Sequence, residues 1–141
     1  MKLILTLICL FCLAIVPSFA SDYSETVTIF WDWSGPTPED SGLASADPMA
    51  NDLEWHLYMR GEGETYDYGN PTVAVPYGQT LSMDAPIVVE GIGGSSVKKY
   101  FVLRAFYDNG ESGDSNEAFK DFEIPRDSPL NLRFTVSVQS N

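Results

Sequence analysis

Tyr100-Phe-Val-Leu-Arg-Ala-Phe-Tyr-Asp-Asn-Gly-Glu-Ser-Gly-Asp-Ser-Asn-Glu117 is the stretch that decides how this chain folds. Phe101, Leu103 and Ala105 alternate with larger or polar neighbours, the period of a half-buried strand. A cluster of Asp, Asn, Gly and Ser then reverses the chain, and a second apolar run follows from Phe119 to Ile124. The stretch therefore predicts a hairpin whose two arms share one apolar face.

The same pattern recurs toward the amino end. Thr26 to Trp33 places Val27, Ile29, Trp31 and Trp33 on one face and Thr28, Phe30 and Asp32 on the other. Leu53 to Met59 places Leu53, Trp55, Leu57 and Met59 opposite Glu54, His56 and Tyr58. Shorter strands are predicted at Thr72 to Pro76, Leu81 to Met83 and Ile87 to Ile92. Helical periodicity is nearly absent, and Gly and Pro recur at short intervals. About seven strands of this kind predict an all-β sandwich of the immunoglobulin-like type. Trp31, Trp55, Leu57, Phe101 and Leu103 share the inward phase and are the predicted core.

The order of these landmarks resembles the fibronectin type III family over about residues 26–124. Val27-Thr-Ile-Phe-Trp-Asp32 looks like that family's second strand and Leu53-Glu-Trp-His-Leu-Tyr58 like its third. Val89-Glu-Gly-Ile92 resembles the valine-x-glycine-leucine turn ahead of the penultimate strand, which Tyr100 onward resembles in turn. Two departures stand out. Lys98 and Lys99 occupy the place of the family's corner tyrosine, and the connection from Ser34 to Asp52 is long and rich in Pro, Ser, Asp and Gly. The resemblance implies a module that binds or spaces and has no cofactor. The domain organisation expected is a signal peptide at 1–20, a fibronectin type III-like domain at 21–124, and a linker with an extra strand at 125–141.

The leading segment has a positive start at Lys2, an apolar stretch from Leu3 to Val16, and small residues up to Ala20, the layout of an export signal. Its apolar run is shorter than the roughly 20 residues that span a bilayer. Both cysteines, Cys9 and Cys12, lie inside it, so the exported chain is expected to be secreted or periplasmic, free of disulfides and not inserted in a membrane. Loss of Lys2 leaves seven basic against twenty acidic residues, a balance of −13. Such a charge disfavours nucleic acid and anionic lipid as partners.

Leu130-Asn-Leu-Arg-Phe-Thr-Val-Ser-Val138 alternates completely: Leu130, Leu132, Phe134, Val136 and Val138 on one face, Asn131, Arg133, Thr135 and Ser137 on the other. A free apolar strand of this kind invites pairing, with its own domain or with another copy.

Chemistry-bearing residues are few. His56 is the only histidine, sits mid-strand, and has no glycine-flanked serine elbow to serve, so no enzymatic activity is expected. Asp108, Glu111, Asp114 and Glu117 cluster in one turn, but the spacing does not match a calcium loop, and Gly, Asn and Ser there suit the turn itself. Aromatics make up 13% of the chain. Phe30, Tyr66, Tyr68 and Tyr77 are the expected partner contacts, since Phe30 points away from the core and the tyrosines lie in turn-rich sequence. The expected function is protein adhesion or assembly, with a carbohydrate-binding accessory domain that uses exposed rings as the alternative.

Overall fold

The computed structural model describes residues 20–78 and 80–126. The expected signal peptide, apart from Ala20, and the alternating segment Leu130 to Val138 lie outside the described residues. Two antiparallel sheets face each other across one apolar core, so the chain is an all-β sandwich.

The smaller sheet pairs β1 (Ser21–Phe30) with β4 (Ser82–Gly91) over their whole length, Ser21 opposite Gly91 and Phe30 opposite Ser82. The larger sheet has the order β3 (Val73–Pro76), β2 (Glu54–Gly61), β5 (Ser96–Tyr107), with the short β6 (Gly110–Glu111) and then β7 (Ala118–Glu123) both paired to β5. All pairings between these strands are antiparallel.

Ser21 to Glu25, too short and polar to predict a strand of its own, extends β1 by five residues. The two runs at Leu81 to Met83 and Ile87 to Ile92 are one strand, β4, continuous through Pro86. Trp31 N–H donates to Leu81 C=O at 3.1 Å. Because hydrogen-bonding direction alternates along a strand, the nitrogen of Pro86, opposite Thr26, faces away from β1. A proline is tolerated there because no ladder bond is lost.

Met83, Ala85, Ile87 and Val89 of β4 are buried against Trp55 and Leu57 of β2, Phe101, Leu103 and Ala105 of β5, and Phe122 and Ile124. Trp31 and Trp33 each stand 5.1 Å from the Trp55 ring, tilted and edge-on respectively. Trp31 departs from expectation in degree: it packs on the core but is only partly buried, because β1 has no neighbour on its outer side among the described residues. Ile124 closes one end, so close to Gly91 that a β-carbon there would lie 2.8 Å from it.

The predicted reversal after Tyr107 is a two-residue turn. Asp108 and Asn109 both adopt positive φ, 50° and 58°, the conformation whose twist suits a tight hairpin. Beyond it, Ser112 and Ser115 stand in for a regular ladder. Their N–H groups donate to the carbonyls of Ala105 and Leu103, and their hydroxyls accept from those residues' N–H groups at 3.0 Å.

The connection from Ser34 to Asp52, long and rich in turn formers, is tied down by its own hydrogen bonds. It forms short 3₁₀ turns at Glu39–Ser41 and Pro48–Ala50, and Thr37 is buried with its hydroxyl bonded to those of Ser41 and Ser45. Leu43 and Met49 point to solvent and do not plug the sandwich.

Candidate functional site

Two surfaces concentrate the residues with chemistry. The first is the outer face of the larger sheet. β2 directs His56, Tyr58 and Arg60 outward, β5 directs Tyr100, Arg104 and Phe106, and the segment between β2 and β3 folds back over them. A carboxylate turn at Glu64 and an Asx turn at Asp67 shape that segment, with Gly61 N–H donating to Glu64 at 2.6 Å and Gly69 N–H to Asp67 at 3.0 Å.

Two arginine centres organise this face. Arg104 donates to Asp114 at 2.7 Å and to Glu111 at 3.2 Å, with its guanidinium 3.4 Å from the Tyr68 ring centroid. Arg60 donates to Glu117 at 2.8 Å and lies 4.3 Å from the Tyr100 centroid and 5.3 Å from that of Tyr66. Tyr68 and Tyr66 then donate to Asp114 and Glu117 at 2.7 and 2.8 Å. Tyr58 donates to Glu111, and His56 Nδ1 lies 2.6 Å from the same carboxylate, its ring stacked on Phe106.

These contacts set the titration of the face. Burial pushes the Glu111 and Asp114 carboxyls up, but the hydrogen bonds they accept outweigh it and hold both low: from Tyr58, His56 and Arg104 for Glu111, from Tyr68 and Arg104 for Asp114. Tyr66 and Arg60 hold Glu117 low in the same way. Burial, then the bond to Glu117, pushes the Tyr66 hydroxyl up to about 12. Burial and Glu111 push Tyr58 up as well.

Two expectations change here. Tyr66 and Tyr68 do not stand as free stacking platforms, since each has an arginine over its ring and a carboxylate on its hydroxyl. Tyr77 is partly buried against the core, its N–H donating to Leu53 C=O, so it is no loop platform either. The acidic turn faces arginines and tyrosines, and among the described residues no three His, Asp or Glu side chains converge in a metal cup. Sequence reading missed Arg60, Arg104 and Tyr58 altogether. Tyr58 lies on the outward phase of β2 yet is 1% exposed, because Tyr68 covers it.

The second surface is the open side of the sandwich, between β1 and the hairpin of β5 and β7. The direction set by Trp31 leaves the N–H and C=O groups of Asp22, Ser24, Thr26, Thr28 and Phe30 pointing away from β4, toward a lane in which no strand pairs with them among the described residues. A cleft of about 300 Å³ opens there, lined by Ile29, Trp31, Leu57, Phe101, Leu103 and Ala118 together with the polar Asp32, Ser115 and Asn116. A second, of about 380 Å³, shares Trp31 and Leu103 with it and reaches Trp33, Trp55 and Ser112. Farther up the lane Glu25 and Lys120 bridge β1 and β7 at 3.1 Å. Phe30, at the rim, is 76% exposed, as its phase predicts.

Comparison with family models, with curated proteins and with solved structures gave no match for this chain. Among the described residues no helix is long and apolar enough to cross a membrane.

Proposed function

We propose that the chain is an exported, non-catalytic binding module of the fibronectin type III kind, serving protein adhesion or assembly by accepting an extended strand along β1. The strand arrangement supports the family reading. In such sandwiches the third, penultimate and last strands share one sheet and the second lies in the other. Here β2, β5 and β7 share a sheet and β1 pairs with β4 in the other. The family's first strand would lie in the lane beside β1.

The observation that carries the function is that lane. Five residues offer backbone groups with no strand partner among the described residues, along a cleft with apolar side chains in its lining, which is what strand addition needs: main-chain bonds for affinity, pockets for alternate side chains for specificity. The outer face offers less, since its arginines, tyrosines and carboxylates satisfy one another.

A photo-crosslinking residue placed at Phe30 tests this in the producing cell. It should give a discrete protein adduct, absent from a control at the exposed Ala74 and lost with Thr28→Pro, which removes one outward N–H. Equal labelling at both positions, or adducts indifferent to Thr28→Pro, would overturn the reading.

A further inference from the structure

We propose that the strand occupying the lane is Leu130–Val138 of a second copy of this chain, running antiparallel to β1, so that copies join head to tail. This deepens the strand-accepting reading and rests on it.

The place where the described chain stops decides the direction. Ile124 exchanges backbone hydrogen bonds with Gly94 and Ser95, and it packs on Gly91, which pairs with Ser21. The chain therefore leaves the sandwich at the Ser21 end of β1. Asp127 to Pro129, three residues, reach at most about 10 Å. β1, ten residues long, spans about 33 Å. The chain's own segment cannot travel to the Phe30 end before pairing, so in its own lane it could only run parallel to β1.

Side-chain sizes then discriminate between the two directions. A parallel strand starting at the Ser21 end sets Phe134 over the Glu25–Lys120 ion pair and leaves only Val136 and Val138 for the cleft beside Trp31. An antiparallel strand entering at the Phe30 end does the reverse. Leu130, Leu132 and Phe134 come opposite Trp33, Trp31 and Ile29, which line the two clefts, and Val138 comes opposite Glu25. In that register Arg133 falls opposite Phe30 and next to Asp32, which gives the most exposed apolar ring of the described residues a cation above it and the cation a carboxylate. Antiparallel pairing also matches every pairing between strands in the fold.

A donor strand that leaves at one end and enters its neighbour at the other makes a heterologous contact that does not close on itself, so the product is a linear chain of copies. Each exported copy, without Lys2, carries seven basic against twenty acidic residues, a net charge of −13, so salt, by screening repulsion, should lengthen the chains.

Cysteines at Thr28 and Thr135, which face each other in this register, report the arrangement directly, alongside Phe134→Asp in the full chain. Oxidation of Thr28→Cys/Thr135→Cys should give a ladder of covalent multimers on a denaturing gel. Phe134→Asp should reduce the uncrosslinked chain to monomers by sedimentation with its far-UV spectrum unchanged, and a peptide of residues 129–139 should bind that variant. An intramolecular disulfide with monomeric protein would overturn the exchange between copies while leaving the lane as a strand site. No disulfide, no effect of Phe134→Asp and no peptide binding would overturn both readings.

Discussion

The guanidinium of Arg104 lies over the ring of Tyr68, 3.4 Å from its centroid, and the two side chains share Asp114, the arginine on one oxygen and the hydroxyl on the other. Arg60 and Tyr66 also share a carboxylate, Glu117, but both donate to its Oε2, and the guanidinium lies farther from the ring, 5.3 Å from its centroid. A planar cation with several donors suits this double duty, whereas an ammonium offers neither the stack nor the fork. The pair pins the segment between β2 and β3 to the sheet, which is how Tyr58 becomes buried on the outward face.

Arg104→Ala should therefore destabilise the fold by about 2 kcal/mol, the scale of lost hydrogen bonds to charged groups. Arg104→Lys should recover less than half of that. Urea unfolding followed by tryptophan fluorescence measures both. Equal stability of the Lys variant and the parent would show that charge alone, and not the stack, holds the segment.

The acid limb of stability should rest on the same face. Glu111, Asp114 and Glu117 have carboxyls held below their unfolded values. Their contribution is full above the unfolded carboxylate range, about pH 4 to 5, and fades as pH falls through the lowered folded values. Tyr66 and Tyr58 act in the opposite sense: their raised values favour the neutral form in the fold, so that contribution holds below about pH 10 and fades above it. The unfolding midpoint should be flat from about pH 5 to 10, and Glu111→Gln should shrink the drop on the acid side. A Glu111→Gln profile parallel to the parent's would refute this assignment.

Trp55 and Trp31 should differ although both point inward. Trp55 is 2% exposed between two indoles, and Trp55→Ala should cost about 3–5 kcal/mol. Trp31 is open to the lane and should cost less than half as much. Thermal unfolding of the two variants makes the comparison, and equal losses would mean that the lane is filled within each copy.

Thr37→Val should loosen the Ser34 to Asp52 connection without unfolding the sandwich. It removes a buried hydroxyl that bonds Ser41 and Ser45, a change of about 1–2 kcal/mol. Amide exchange should speed up at Ala46 and Asp47, whose N–H groups bond within the connection, while β2 and β5 amides keep their rates. A matching loss in β5 would tie the connection to the global fold.

Much of the architecture was legible because it is local. The alternation at Val27 to Trp33, Leu53 to Met59 and Tyr100 to Tyr107 reports which side of a strand meets apolar atoms, and a period of two is written in adjacent residues. The Asp108-Asn109 turn is legible for the same reason, as both residues tolerate positive φ. The exposure of Phe30 follows from phase alone. Alternation by itself thus determined an all-β chain, its inward faces and its hairpin.

The rest depended on partners far apart in the chain. Pro86 reads as a breaker until its pairing with Thr26 turns its nitrogen away from the ladder. Arg60, Arg104 and Tyr58 carry no local signal, because their partners Glu117, Glu111, Asp114 and Tyr68 meet them only once β2, β5 and two loops have come together. The lane beside β1 is likewise invisible in one dimension, since a strand's own residues do not state how many neighbours it has. Only tertiary structure decides that: which edge stays open is set by how two sheets stack, and stacking is a property of the whole core and of no single segment.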